Sequence, residues 1–284
     1  MKTITITAFN RPDLLEKCFA SVSQAWGVGD FKLVVVLQEG NKRCLEIIHE
    51  YRAIIDTFLE THPSGNEVDS YITNNRLLGY FIGFEFWKSK YVVALEDDVE
   101  ISKDSLKFID AAYERYSADK KFRGVNLGSK LPYSNETALT FSKIRYGIHG
   151  PASMLTKNTW SQLNIKKVLE NHQIIFDAQI EFELKSGFMI TPNCSRYLDN
   201  GHQGSHSFGG GGEEYFVKLR ESFIGENVEV KSKYTLCSMN PRWREDCKIY
   251  YRSDNFYYLL LRNIYKLSYF FPGILNLKAK LKFW

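Results

Sequence analysis

The sequence predicts an α/β fold in which a mostly parallel sheet is flanked by helices. Strand-like runs alternate with helix-like segments through residues 1–130. Several of the strand-like runs, such as "FKLVVVLQ", are continuously apolar, which is typical of parallel strands buried on both faces. The chain has 284 residues, 44% of them hydrophobic and 25% charged, and this is enough for one large domain or two small ones.

The elements are predicted in the order in which the patterns occur. Strands are expected at 3–9, 31–38, 70–73, 91–97 and 124–130. Helices are expected at 11–25, where Pro12 suits a first turn, and at 42–60, 76–88 and 103–116. Residues 145–163 are expected to be a Gly/Pro turn leading into a helix, and 174–187 a helix that begins at Asp177 and ends at Gly187.

The stretch "YVVALEDDVEIS" (91–102) ends an apolar strand in three consecutive carboxylates, Glu96, Asp97 and Asp98. Adjacent acids repel one another, so the pattern indicates that a cation binds there. In such sheets ligands bind beyond the carboxyl ends of the strands. The polar segments "AFNRP", "LQEGN", "ITNNR" and "LEDDV" are all predicted at those ends and should line one crevice. An alternative is that the acids only cap a strand end and a helix.

The sequence lacks the Gly-rich phosphate-binding motifs of two common nucleotide-binding folds. There is no GxxxxGK[ST] segment, and no GxGxxG lies in the first strand–helix turn. A nucleotide bound here would need its phosphates neutralised by another group. A divalent metal, Mn²⁺ or Mg²⁺, held by Asp97 or Asp98 would do this.

At these residues the chain resembles nucleotide-sugar glycosyltransferases of the Rossmann-like GT-A fold and, more narrowly, the N-acetylglucosaminyltransferase I group. The resemblance covers about residues 1–216 and is carried by "FNRPDLLEKCFASV", "VVVLQEG", "NNRLLGYFIGFEFWKSKYVVALEDDVEIS", "IIFDAQIEFEL" and "GSHSF". The chain departs from the group at three positions. Phe176 and Ala178 replace a Trp and an Asp around the catalytic base, and Asn75 replaces a His.

The resemblance implies a role for each matching residue. Arg11 would help hold the nucleotide, Glu39 would read the uracil, and Asp98 would be the direct metal ligand. The other donor-binding residues would be Arg76, Glu96, Asp97 and Ser205. Asp177 would be the catalytic base, and His206, beside the phosphate-closing Ser205, a metal ligand. Plainer alternatives remain for two of them: Asp177 could be a helix N-cap, and Arg11 could form only a salt bridge.

The implied activity is that of an inverting, metal-dependent glycosyltransferase, a hexosyl- or N-acetylhexosaminyltransferase. It would move a sugar from a nucleotide donor, expected to be a UDP-sugar, to a hydroxyl of a glycan or lipid-linked glycan. Two alternatives come from other classes: a nucleotidyltransferase acting on sugar phosphates, and a non-catalytic carbohydrate-binding scaffold. The net charge of +4 is too small to indicate a nucleic-acid partner.

The predicted domain organisation is a GT-A catalytic domain at 1–240 and an amphipathic extension at 241–284. The catalytic domain comprises a nucleotide-binding half (1–130) and an acceptor half (131–240) with a Gly-rich lid at 199–214. The extension is rich in aromatic and basic residues, which suits a membrane interface, although packing on the catalytic domain or an oligomer contact fits equally well. The five scattered cysteines and the absence of a signal-peptide pattern favour a cytoplasmic protein, with a peripheral position on the inner membrane face if the extension binds lipid.

Overall fold

The structure, a computed structural model, has an α/β architecture built on one large mixed sheet. It describes residues 1–39, 41–62, 68–129, 139–144, 151–165, 187–201, 217, 220–225 and 235–236. Within these ranges the large sheet has nine strands, and a separate ribbon has two. The predicted fold class, a mostly parallel sheet flanked by helices, is confirmed.

The strands are β1 (Thr3–Ala8), β2 (Lys32–Gln38), β3 (Thr57–Thr61), β4 (Tyr91–Glu96), β5 (Val99–Ile101), β6 (Phe122–Asn126), β7 (Thr140–Ile144), β8 (Ala152–Thr156), β9 (Phe188–Pro192), β10 (Tyr197–Asp199) and β11 (Thr235–Leu236). The helices are α1 (Pro12–Gln24), α2 (Lys42–Glu50), α3 (Val68–Phe81), α4 (Ser105–Tyr116) and α5 (Lys157–Trp160). Short 3₁₀ turns lie at Val28–Asp30 and Arg52–Ile54, and a π-helical turn at Ile82–Phe86 continues α3.

The sheet order is β11-β7-β9-β6-β8-β4-β1-β2-β3. Strands β3, β2, β1 and β4 are parallel, so their carboxyl ends meet at one edge. Strand β8 lies between β4 and β6 and runs antiparallel to both, so the run of parallel strands ends at β4. Strands β5 and β10 form the antiparallel two-stranded ribbon, in which Asp199 lies opposite Val99.

The continuous apolar strands are covered on both faces, as the pattern predicts. Val35 and Leu37 of β2 pack into the main core with Leu15 and Phe19 of α1. Val36, the intervening residue, packs on the opposite face in a second cluster. Each such aliphatic or aromatic side chain contributes about 1.5–3 kcal/mol on full burial. Both layers of helices are therefore needed to keep β2 away from water.

Two glycines bring α3 and its π-helical continuation close to the sheet. A Cβ at Gly79 would lie 3.0 Å from the Cβ of Thr5. A Cβ at Gly83 would lie 2.5 Å from Cγ2 of Val92, closer than packed atoms approach. Any larger residue at position 83 would push the helical segment away from β1 and β4.

The third strand of the sheet is not where the sequence pattern put it. The predicted strand at 70–73 lies inside α3, and the predicted helix at 42–60 ends at Glu50. The strand is instead β3, which pairs in parallel with β2 from Thr57 opposite Val34. Helix and strand propensities are weak preferences that tertiary context overrides, and the two errors follow from relying on them.

The segment 145–163 also differs from its prediction. Residues Ala152–Thr156 form the fully buried strand β8, and helix is limited to the single turn of α5. A short apolar run such as "ASMLT" cannot be assigned to strand or helix by periodicity alone. The other predicted strands at 3–9, 31–38, 91–97 and 124–130 correspond to β1, β2, β4 and β6, with shifts of up to a few residues at their ends.

Several predictions concern residues that the structure does not describe. These are the helix expected at 174–187 apart from its last residue Gly187, the lid from residue 202 onward, the domain boundary at 240 and the extension at 241–284. Among the described helices, none combines the length and apolar character needed to cross a membrane.

Candidate active site

The acidic segment forms a tight turn beyond the carboxyl end of the central strand β4. Asp97 and Asp98 occupy this turn, and the chain continues at once into β5. The neighbouring strand β1 ends beside them, with Thr7 opposite Glu96. The backbone N–H of Phe9 donates a hydrogen bond to Oδ2 of Asp97 at 3.2 Å. Helix α4 starts later, at Ser105, so these two acids do not cap a helix.

Arg11 bridges the two aspartates. Its Nη1 donates to Oδ2 of Asp98 at 2.5 Å, and its Nη2 donates to Oδ1 of Asp97. The side chain of Arg11 is 33% exposed, whereas those of Asp97 and Asp98 are only 2% and 7% exposed. Burial acts to lower the pKa of Arg11, but the charges of the two aspartates outweigh it and raise that pKa. The guanidinium is therefore a fixed cation at the mouth of the crevice.

The burial of Asp97 makes its charge costly. Removal from water raises the pKa of Asp97 to about 6, and the neighbouring Asp98 adds to the rise while Arg11 opposes it. A charge-assisted pair of this kind offsets the loss of hydration only in part. The crevice holds more negative charge than its one bridging arginine neutralises.

Asp98 has an oxygen that no group in the described structure satisfies. Its Oδ2 accepts from Arg11, and its backbone oxygen accepts from the N–H of Asn200 at 2.9 Å. Its Oδ1 is buried and has no hydrogen-bond partner there. Buried carboxylate oxygens are normally satisfied, and a hard divalent cation takes such oxygens as ligands. The donor at this position fits a divalent metal without displacing Arg11.

Asp199 is a member of this cluster that the sequence analysis did not select. It ends β10, and its Oδ1 accepts from the N–H of Gly201 at 2.8 Å. Burial, followed by the charge of Asp98, raises the pKa of Asp199 to about 6. The only sequence signal was its place at the start of the Gly-rich segment, since the pairing of β5 with β10 is not visible in the sequence.

Glu96 is held by Arg76, a residue of α3. Nη1 of Arg76 lies 3.2 Å from Oε1 of Glu96, and its Nη2 donates to Oγ of Ser153 at 3.4 Å. The side chain of Arg76 is only 4% exposed. Asn75 accepts from Oγ1 of Thr61 at 2.9 Å, at the end of β3. The "ITNNR" segment was predicted to follow a strand. It lies instead in α3 and reaches the crevice from that helix.

Glu39 follows β2 on the same edge of the sheet. Its backbone N–H donates to the oxygen of Thr61 at 2.9 Å. Its carboxylate lies 3.0 Å from Nδ1 of His62, and both side chains are largely exposed. The hydrogen bond from Glu39, together with its charge, raises the pKa of His62. The sequence analysis gave His62 no role, yet it is the partner of a predicted nucleotide contact.

The structure joins Arg11 to Asp97 and Asp98. Glu96 precedes the two aspartates at the end of β4 and binds Arg76, and Glu39 follows β2 on the same edge of the sheet. Asp177, Ser205 and His206, together with Phe176 and Ala178, lie outside the described residues. Within the described ranges, no three His, Cys, Asp or Glu side chains surround a common point suited to a metal ion. A cation on Asp98 would take its remaining ligands from water, a bound ligand or other parts of the chain.

No protein-family model matches this chain, and no curated protein sequence matches it. Solved structures with partial likeness include S. aureus TarS 1-349, at 13% identity and a TM-score of 0.45, over 69% of this chain and 60% of that one. The same protein in complex with UDP gives 13% identity and a TM-score of 0.47 over the same shares. The mannosyltransferase PcManGT from Pyrobaculum calidifontis, in complex with GDP-Man and Mn²⁺, gives 13% identity and a TM-score of 0.40, over 57% of this chain and 46% of that one.

This chain spans 60% of the length of TarS 1-349.

Proposed function

We propose that the protein is an inverting, metal-dependent glycosyltransferase that uses a nucleotide-sugar, expected to be a UDP-sugar. The observation that carries the proposal is the buried Asp97–Asp98 turn at the carboxyl end of β4. It is bridged by Arg11 and leaves Oδ1 of Asp98 unsatisfied within the described structure. A site of this kind accepts a cation and a ligand with phosphate groups, at the edge of the sheet where such folds bind nucleotides.

Asp98 is the residue that would hold the metal, through the oxygen that Arg11 leaves free. Mn²⁺ or Mg²⁺ bound there supplies Lewis-acid stabilisation of the charge that develops on the departing nucleoside diphosphate. Magnesium-type sites commonly use one or two carboxylates and take their other ligands from water and substrate phosphates. The small number of protein ligands around Asp98 is therefore sufficient.

The remaining described residues would bind and orient the donor. Arg11 is partly exposed, so N–H groups that do not bind the aspartates can reach a phosphate or ribose oxygen. Glu96, fixed from behind by Arg76, can accept hydrogen bonds from sugar hydroxyls. Glu39 is an exposed carboxylate beyond β2 and can accept from a uracil N–H.

The chemical step requires a base for the acceptor hydroxyl, and Asp177 is the candidate. A single in-line displacement with one base opposite the leaving group inverts the anomeric centre. General-base assistance of this kind contributes about 10²–10⁴-fold. Ser205 and His206 are expected to close over the donor phosphates, with His206 as a further candidate metal ligand. The acceptor is expected to be a hydroxyl of a glycan or lipid-linked glycan.

The test is binding and slow hydrolysis of a panel of nucleotide-sugars, measured with Mn²⁺ and with EDTA. The wild type is compared with Asp98→Asn and with the matched control Glu100→Gln, whose carboxylate binds Asn200. Metal-dependent binding of one donor class, lost in Asp98→Asn and kept in Glu100→Gln, would support the proposal. Metal-independent binding would contradict it, as would no binding across the panel. Release of pyrophosphate from a nucleoside triphosphate would identify a nucleotidyltransferase instead.

A further inference from the structure

Asp199 is brought to Asp98 by the pairing of two strands that are far apart in the chain. Strand β10 pairs with β5, and the backbone N–H of Asn200 extends this pairing by donating to the oxygen of Asp98 at 2.9 Å. The side chains of Asn200 and Glu100, 100 residues apart, are joined at 2.8 Å. The backbone that carries Asp199 is therefore fixed against the acidic turn by bonds that do not involve the Asp199 carboxylate.

The carboxylates of Asp199 and Asp98 face the same small volume. A Cβ placed on Gly201 would lie 2.2 Å from Oδ2 of Asp98 and 3.0 Å from Oδ1 of Asp199. A single atom at this point would thus touch both acids. Only a residue without a side chain fits at this crowded point, and the N–H of Gly201 donates a 2.8 Å hydrogen bond to Oδ1 of Asp199.

The charges at this point do not balance. Asp98 interacts with two other carboxylates, Asp97 in the same turn and Asp199 at the end of β10. Arg11 forms ion pairs with Asp97 and Asp98 but not with Asp199. Among the described residues, no other cation forms a salt bridge with any of the three. Two like charges this close in a partly desolvated site favour binding of a cation between them.

The second observation that points to a ligand is the unsatisfied oxygen of Asp98. Asp98 is more than nine-tenths buried, and its Oδ1 has no partner in the described structure. Two carboxylates, one with a free buried oxygen, match what a divalent cation needs from a protein when phosphate and water complete its shell.

We propose that Asp199 is a second carboxylate ligand of the divalent cation held by Asp98. This inference rests on the proposed function for the presence of the cation. It adds a ligand from the end of β10, outside the acidic triplet.

The experiment is a titration of the full-length protein with Mn²⁺, alone and with UDP, in which the electron paramagnetic resonance signal of free Mn²⁺ measures binding directly. The variants are Asp199→Asn, Asp98→Asn and Glu100→Gln. Asparagine at 199 keeps an oxygen that can accept from Gly201, so the local fold should persist, and circular dichroism checks this. Glu100→Gln removes the same charge from the neighbouring strand without removing a proposed ligand, and its amide oxygen can still accept the hydrogen bond from Asn200.

We expect Asp199→Asn to weaken Mn²⁺ binding by about tenfold or more, and Asp98→Asn to weaken it further. The Mn²⁺ affinity of Glu100→Gln should stay within about threefold of wild type at about 0.15 M salt. Salt screens the attraction between the cation and a carboxylate that does not coordinate it. If Asp199→Asn binds like Glu100→Gln while Asp98→Asn loses binding, the inference is wrong and the proposed function stands. If the wild type binds no Mn²⁺ even with UDP, metal dependence itself fails, and the inference fails with it.

Discussion

Arg196 and Asp104 form an ion pair whose two side chains are completely buried, with Nη2 of Arg196 3.3 Å from Oδ2 of Asp104. Nη1 of Arg196 also donates to the oxygen of Cys194 at 2.9 Å, and Oδ1 of Asp104 accepts from Oγ of Ser102 at 2.7 Å. The pair joins the start of α4 to the residue just before β10. It therefore holds in place the strand that ends in Asp199.

Arg196→Met is expected to lower the free energy of unfolding by about 3–5 kcal/mol, because it removes the positive charge that lies beside the buried carboxylate of Asp104. Urea denaturation followed by tryptophan fluorescence measures this. The control is Arg43→Gln, which removes an exposed arginine from its surface pairs with Glu46 and Glu50 and should change stability little. A loss below about 1 kcal/mol for Arg196→Met would show that the buried pair is not needed for the fold.

The stability of the metal-free protein should fall as pH rises from about 4 to about 6. The pKa of Asp199 is raised to about 6 in the folded protein, whereas an unfolded aspartate has a pKa of about 3.9. Between these values the folded state holds more protons than the unfolded state, so raising the pH favours unfolding. Asp97, whose pKa is raised to about 6 as well, acts in the same direction.

Asp199→Asn should remove part of that pH dependence. With EDTA present, we expect the variant to be more stable than wild type at pH 7 by about 1–2 kcal/mol, less than the full linkage value because the site is partly solvated. Denaturation at a series of pH values measures the slope. Equal slopes in variant and wild type would mean that the Asp199 carboxylate is no more costly to ionise when folded.

Features that depend on neighbouring residues in the sequence were predicted, and features that depend on contacts between distant parts of the chain were missed. The acidic turn and Arg11 were found because each lies at the end of a strand that its own residues define. Strand β3 was missed because "TFLET" is short and partly exposed, whereas "SYIT" has stronger strand propensity but lies in a helix. Asp199 was missed because only the pairing of β10 with β5 brings it to Asp98.

His62 reports on whether Glu39 binds the nucleotide. Its hydrogen bond to Glu39 raises the pKa of His62, so their charged pair is present at low pH and is lost as pH rises through that pKa. In Glu39→Gln, the pKa of His62 should fall towards about 6.5. Nuclear magnetic resonance titration of the histidine ring protons, assigned with His62→Gln, measures both values.

A nucleotide that takes Glu39 as its partner should also lower the pKa of His62 in the wild type. Addition of UDP and Mn²⁺ at saturating concentration is therefore expected to have the same effect as Glu39→Gln. If UDP binds and the pKa of His62 does not change, Glu39 does not contact the uracil.

Asp177→Asn tests the proposed catalytic base apart from donor binding. We expect the rate of transfer or donor hydrolysis to fall by about 10²–10⁴-fold, with UDP affinity unchanged, because the base acts on the acceptor and not on the nucleotide. The matched control is Glu181→Gln, a charge removal in the same predicted helix, which should retain activity. Similar losses in both variants would favour a structural role for this segment.

Gly79 and Gly83 set the rotation of their helical segment about its own axis, because a methyl group at either position would meet Thr5 or Val92. Arg76 lies less than one turn before Gly79, and its guanidinium is what aims Glu96 into the crevice. The orientation of the Glu96 carboxylate therefore depends on Gly79 and Gly83, which do not contact it. A substitution at Gly79 or Gly83 would therefore displace the helical segment that carries Arg76, and with it the partner of Glu96, while every acid of the site stayed the same.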